Sequence, residues 1–242
     1  MDTIDFQNKY ISHLTSHYSS EQELELVRLF FNNKPKGFYV DVGANEPIIE
    51  SQTYHLEKIG WHGLLLEPIP HYVSLLKEHR AGKVIQYACS SPSNHNKVLK
   101  LIVAGGHSTL NSNPIALGTV SKESIDVTCR TLDSILEENE VGPGFDFISI
   151  DIEGHEMEMF KGFDLPKWKP KLVLLEDHVI NHQKHNYMVS NGYQVIQRTG
   201  LNSWYVPQSE GYKLSWASTL EFIRKYWLGL LFRKIRYFRM PH

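Results

Sequence analysis

Five short apolar runs set the terms for the fold: GFYVDVGAN, GLLLEP, KVIQYACS, FDFISID and KLVLLED. Each ends in a small or acidic residue and each is followed by a stretch of helical character, the pattern of buried strands alternating with helices. Strands connected in this way form a parallel sheet covered on both faces. KVLKLIV and SIDVTC read as further strands around the long polar loop AGGHSTLNSNPIALG, and a loop of that length in a compact domain is functional or mobile. After a helical segment at 181–190, GYQVIQRTG and LNSWYV flank a glycine turn and read as a closing antiparallel hairpin. The expected fold class is therefore α/β, a doubly wound and mostly parallel sheet ending in an antiparallel pair.

Three segments divide the 242 residues: an N-terminal helical segment (1–36), the α/β domain (37–210) and a C-terminal tail (211–242). In the first, Leu24, Val27, Phe30 and Phe31 keep helical spacing after Ser19, Ser20 and Glu21, while His13 and His17 read as surface positions. With a formal net charge of -2, the chain lacks the basic footprint of a nucleic-acid binder. Two cysteines, a polar opening and no apolar run of about 18 residues lead to the expectation of a reduced cytoplasmic protein.

In open α/β sheets the ligand lies beyond the carboxyl ends of the strands. The first end reads DVGANEP, where Gly43 permits a tight turn and close approach, and Asp41 and Asn45 offer an acceptor and an amide. The second ends in Glu67, an acid placed to take both hydroxyls of a ribose. No G-x-G-x-x-G is present, which disfavours a pyrophosphate-bearing nicotinamide cofactor and leaves S-adenosylmethionine, with a ribose and no pyrophosphate. The competing reading is that Asp41 and Glu67 only cap strand-to-helix turns.

YVDVGANEPIIES, GWHGLLLEPIPHYVSLL, TLDSIL, FISIDIEGHEMEMFKGFD and GLNSWYV, in this order, resemble the FkbM-type S-adenosylmethionine-dependent methyltransferases over about residues 37–207. The resemblance implies a class I methyltransferase fold and O-methylation of a hydroxyl, on a sugar or a natural product. It also implies that Asp41, Gly43, Asn45 and Glu67 hold the cofactor and that Ala88, Cys89 and Ser90 lie against adenine. The chain departs from the family at Glu46 and Pro47, where many members have a second glycine.

Methyl transfer to an alcohol requires the hydroxyl proton to leave, which calls for a base or a metal ion. Asp151, at the end of the fourth run, falls beside the expected sulfonium. Glu153 and His155 follow in the loop that Gly154 tightens; His155 is the expected general base, and a neighbouring carboxylate would tune it. Glu156 and Glu158 read as helix surface. The next run ends in Glu176, Asp177 and His178, so Asp151, Glu176 and Asp177 are candidate ligands of a divalent cation such as Mg2+. The alternatives are that these acids bind sugar hydroxyls or that the sulfonium is their positive partner. His107, Ser108, Glu176, His178 and Asn202 are candidate acceptor contacts. Trp204 and Tyr205 flank the site or pack in the core, and His178, His182 and His185 read as exposed histidines rather than a transition-metal set.

From Phe222 to Met240 the tail carries six cations, six aromatic residues and no acid. A basic aromatic helix of this kind suits an anionic membrane interface or a glycan-assembly partner, and a helix docked on the domain is the competing reading. The expectation is a sugar O-methyltransferase of a surface polysaccharide or lipid-linked glycan, peripheral on the inner face of a membrane. A small-metabolite methyltransferase and a non-catalytic membrane module are the alternatives.

Overall fold

The computed structural model describes residues 20–103, 108–110, 123–213, 216–232 and 235. His13, His17, His107 and the last seven residues lie outside them. The elements in chain order are α1 (Ser20–Phe30), β1 (Phe38–Val42), α2 (Tyr54–Glu57), β2 (His62–Leu66), α3 (Pro70–His79), β3 (Lys83–Ile85), β4 (Ala88–Cys89), β5 (Val98–Ile102) and β6 (Ser124–Arg130). There follow α4 (Leu132–Glu138), β7 (Phe147–Ile150), α5 (Glu156–Phe160), α6 (Leu165–Trp168), β8 (Leu172–Glu176), α7 (Gln183–Ser190), β9 (Tyr193–Thr199), β10 (Asn202–Pro207) and α8 (Trp216–Phe222).

Seven strands form one sheet in the order β3-β2-β1-β7-β8-β10-β9. All pairings from β3 to β8 are parallel, and β10 runs antiparallel to both β8 and β9. This is the doubly wound sheet with a closing hairpin that the alternating pattern implies.

Side chains of the central strands alternate between two cores, as the two-residue period of a strand requires. Val40, Val42, Leu64, Leu66, Ile148, Ile150, Val173 and Leu175 pack on one face against Leu132, Ile135 and Leu136 of α4 and Met159 and Phe160 of α5. Tyr39, Leu65, Phe147, Leu172 and Leu174 pack on the other against Leu26 and Val27 of α1, with Leu56 and Leu76. Burial on both faces explains why these runs read as continuous apolar stretches. Truncating any of these leucines to alanine removes contacts worth about 2–5 kcal/mol.

KVIQYACS departs from the single strand expected of it. It splits after Ile85: β3 stays on the main sheet beside β2, whereas β4 pairs with β6 in a second sheet of order β4-β6-β5. The small sheet buries Ala88, Leu101, Val127 and Cys129 with Ile69 as a core of its own. Both cysteines are free, buried thiols. Its consequence for function is that residues 87–90 cross the carboxyl ends of the main strands.

Candidate active site

The carboxyl ends of β1, β2, β7 and β8 open on a cleft of about 460 Å³. Its first wall is the turn after β1. Gly43 and Ala44 donate their amides to the Leu66 carbonyl at 2.9 and 3.1 Å, which folds the turn over the end of β2. At φ +87° Gly43 occupies the left-handed region, and a Cβ there would stand 1.9 Å from the Asp151 carbonyl oxygen. Only glycine lets these two strand ends close together.

Glu67 is buried and accepts the amides of Asn45 at 3.0 Å and Ile69 at 2.8 Å. Burial pushes its carboxyl up to about 7 even so, with Asp41 adding to the rise. Asp41, also buried and also raised by burial, accepts the Thr53 hydroxyl at 2.6 Å. Behind it Arg80 donates to Thr53 Oγ1 at 2.7 Å, Ser51 Oγ at 3.0 Å and the Pro47 carbonyl at 3.2 Å, and pairs with Glu57 at 3.1 Å. The guanidinium thus ties loop 47–53 to the strand end, a job no motif in the sequence announces.

Ile69, Tyr87, Ala88, Cys89, Leu101 and Leu110 line an apolar bay of the cleft. Ser90 lies just behind it, fully buried, taking a hydrogen bond from Asn94 Nδ2 at 3.0 Å and sharing another with His155 Nε2 at 3.0 Å. His155 lines the cleft, and burial lowers its pKa, so its imidazole is neutral at pH 7. Its charged neighbours are Glu158, Glu156 and Lys161 rather than Asp151 or Glu176. The expected base therefore faces the small-sheet side of the cleft.

Asp151 and Glu176 end adjacent parallel strands and their carboxyls meet across the cleft. Asp151 lines the cleft and is open to solvent there. The protein packed around its carboxyl, with Glu176 and Glu153 close by, raises it well above the usual carboxylate range. Burial opposes ionisation of Glu176 too, but His178 and Lys184 outweigh it and keep its pKa below the ordinary value. His178 Nε2 stands 3.4 Å from Glu176 Oε1, and that contact raises the imidazole pKa. Lys184 donates to the Glu176 carbonyl at 2.8 Å and pairs with Glu156 at 2.9 Å. The chain thereby supplies part of the positive charge that so many acids demand.

Of the residues expected here, Asp41, Gly43, Asn45, Glu67, Ala88, Cys89, Ser108, Asp151, Glu153, His155, Glu176 and Asn202 line the cleft. Asp177 does not: its carboxylate accepts the Val179 amide at 2.8 Å and the Tyr226 hydroxyl at 3.2 Å, away from the cleft, so it is withdrawn as a cation ligand. Glu153, Glu176 and His178 instead bring three potential ligand atoms within 4.8 Å of one another. Glu156 is fully buried and accepts the Gly154 amide at 3.1 Å, which corrects its reading as helix surface. His182 and His185 are half-buried rather than exposed, bonded to the Tyr226 carbonyl at 2.6 Å and the Tyr205 hydroxyl at 3.1 Å. Trp204 and Tyr205 are core residues.

Sequence reasoning missed Glu23. It reaches from α1 to accept Asn202 Nδ2 at 2.8 Å, Gln52 Nε2 at 3.2 Å and the Thr199 hydroxyl, fixing the cleft-lining Asn202 and Gln52.

A sequence model of the methyltransferase FkbM domain matches residues 41–213, from the first strand-end acid past the closing hairpin. The chain belongs to the FkbM methyltransferase family. Among solved structures it is similar to the FkbM methyltransferase of Methylobacillus flagellatus KT, at 16% identity and TM-score 0.44, over 84% of this chain and 58% of that one. It is also similar to precorrin-6y C5,15-methyltransferase of Geobacter metallireducens GS-15, at 11% identity and TM-score 0.39, over 75% of this chain and 86% of that one. No curated protein matches the chain significantly. FkbM membership implies S-adenosylmethionine as cofactor.

Proposed function

We propose that the protein transfers a methyl group from S-adenosylmethionine to a hydroxyl of a sugar, in a surface polysaccharide or lipid-linked glycan. The cofactor supplies an electrophilic methyl on a sulfonium. Its needs fit the residues present: a carboxylate at the end of β2 for the ribose diol, a glycine turn that admits the methionine end, and an apolar bay for adenine. In this reading Glu67 binds the ribose, Asp41 and Asn45 shape the turn, and Tyr87, Ala88 and Cys89 flank the base.

The observation that carries the reading is the Asp151–Glu176 pair. A general base needs a greater proton affinity than an ordinary carboxylate, and the protein around Asp151 together with the Glu176 and Glu153 charges raises that of its carboxyl. Asp151 takes the acceptor hydroxyl proton, and Glu176, held ionised by His178 and Lys184, orients that hydroxyl. His155 then serves as a positioning residue, fixing Ser90 and the loop that carries Asp151 and Glu153.

The Glu153–Glu176–His178 cluster favours a second element, a divalent cation. A cation there would polarise the acceptor oxygen and lower its pKa. It would compete with the proton that the Glu176 carboxylate favours on His178.

The test is calorimetric titration with S-adenosylhomocysteine, with and without Mg2+ after chelation. It is followed by transfer of labelled methyl from S-adenosylmethionine to a panel of sugar nucleotides, polyprenyl-linked saccharides and phenolic metabolites. Micromolar binding and label in the saccharides is the expected result. Label in the phenols alone would reassign the acceptor, and no binding in any condition would remove the enzyme reading.

A further inference from the structure

The chain resumes as a helix at Trp216, and its backbone widens to π-helical geometry over Ile223–Leu228, closed by a hydrogen bond from the Gly229 amide to the Arg224 carbonyl at 2.8 Å. One side of this helix is docked. Tyr226 is buried, stacks on Phe222 with ring centroids 4.6 Å apart, and places its hydroxyl 3.0 Å from Ser203 Oγ and 3.2 Å from Asp177 Oδ2. His182 and His185 complete that seat. The helix is therefore fixed to β10 and to the residue that follows Glu176.

The opposite side is apolar and bare. Trp227 is 64% exposed, Leu228 67%, Leu231 64% and Phe232 74%, and Ile235 is exposed as well. Soluble surfaces scatter such side chains singly, whereas a contiguous group of them marks an interaction site. One face of the helix is thus docked on the domain, and the other faces outward.

Charge selects the occupant. The tail from Phe222 holds six of the chain's 25 cations and none of its 27 acids, which leaves the preceding residues at a formal -8. Arg224 pairs with Glu221 at 2.7 Å, so the surplus charge is carried in the sequence by Arg233, Lys234, Arg236 and Arg239. A second copy meeting this stripe with its own stripe would bring like charges together. A copy meeting it with its acidic body would form a head-to-tail contact, which closes into a ring only for particular rotations. An anionic bilayer offers an apolar interior for Trp227, Leu228, Leu231 and Phe232 and a negative surface for the basic sequence that follows Phe232. Among the described residues no helix is long and apolar enough to cross a membrane.

We propose that the stripe from Trp227 to Ile235 seats the protein on an anionic lipid surface. This surface stands apart from the reading of the cleft, and neither depends on the other.

The experiment is co-sedimentation of the full chain with vesicles of pure phosphatidylcholine and of phosphatidylcholine with 30% phosphatidylglycerol, at low salt and in 0.5 M NaCl. Wild type is compared with the Leu231→Glu/Phe232→Glu double variant. Both side chains are exposed, so the variant keeps its fold, which thermal melting verifies. The expected result is at least tenfold stronger partition onto the anionic vesicles, weakened by salt, and at least a tenfold loss in the double variant. Equal sedimentation of the two proteins would overturn the proposal. So would indifference to phosphatidylglycerol, or a wild-type dimer in gel filtration that the double variant abolishes while neither protein sediments with vesicles.

Discussion

Asp41 and Asp151 end neighbouring strands of one sheet and line one cleft, yet their surroundings treat an acid in opposite ways. Around Asp41 the compensation is layered: the Thr53 hydroxyl binds the carboxylate, Arg80 binds Thr53, and Glu57 balances Arg80. Around Asp151 stand Glu176, Glu153 and Glu156, each making its ionisation harder. The first arrangement is a finished structural joint. The second gathers more acids than His178 and Lys184 offset. Perturbed acids in a cleft are candidates for chemistry, whereas a fully paired network is more often scaffold.

Substituting Asp151→Asn tests the difference most severely. Removal of a general base costs about 10²–10⁴-fold in turnover. Labelled-methyl transfer should fall by that much while the calorimetric affinity for S-adenosylhomocysteine stays within about threefold, since the ribose and adenine contacts are untouched. Removing one of several crowded acids should also leave the melting temperature unchanged or higher. A parallel collapse of affinity and turnover would place Asp151 with the cofactor scaffold instead.

Arg80→Met probes the other end. Breaking a buried ion pair by deleting one partner costs about 3–5 kcal/mol, because Glu57 and the Thr53–Asp41 pair are left without their cation. For a chain of this size that corresponds to a fall of about 10 °C in melting temperature. Opposite signs for Asp151→Asn and Arg80→Met in the same thermal assay would establish the contrast, and a shared sign would dissolve it.

What the sequence disclosed follows the same division. Acids at the ends of apolar runs are visible because the two-faced burial of a parallel sheet makes those runs stand out, and so Asp41, Glu67, Asp151 and Glu176 could be placed at one edge. Asp177 could not be separated from Glu176 by inspection: successive residues at a strand end turn to opposite sides, and the phase is set only once the chain is packed. Arg80, Glu23 and Lys184 were illegible for a different reason. Each sits at an ordinary helix or helix-end position, and its role arises from partners 27, 176 and 28 residues away. Glu156 was misread because an acid in the first turn of a helix already has a sufficient local explanation.

Glu67 lies between the two regimes, held by two amides yet raised by burial, and Glu67→Gln gives the smallest and most discriminating effect. In the free protein its carboxyl titrates at about 7, against 4.5 for the ordinary value. A carboxyl raised on folding contributes stability that is complete below the ordinary pKa and lost as pH climbs through the raised one. The gap corresponds to about 3 kcal/mol as an upper figure. At pH 5 wild type carries the proton and should melt close to Glu67→Gln; at pH 8 wild type should melt lower. Cofactor affinity should move the other way, because a ribose diol donates to the ionised carboxylate. Wild-type binding of S-adenosylhomocysteine should tighten by about tenfold from pH 6 to pH 8, as the ionised fraction rises, while Glu67→Gln binds weakly and without that slope. A variant that stabilises the fold and weakens the ligand at the same pH identifies Glu67 as a binding acid held at a cost to folding. One that loses both would return it to the scaffold beside Asp41.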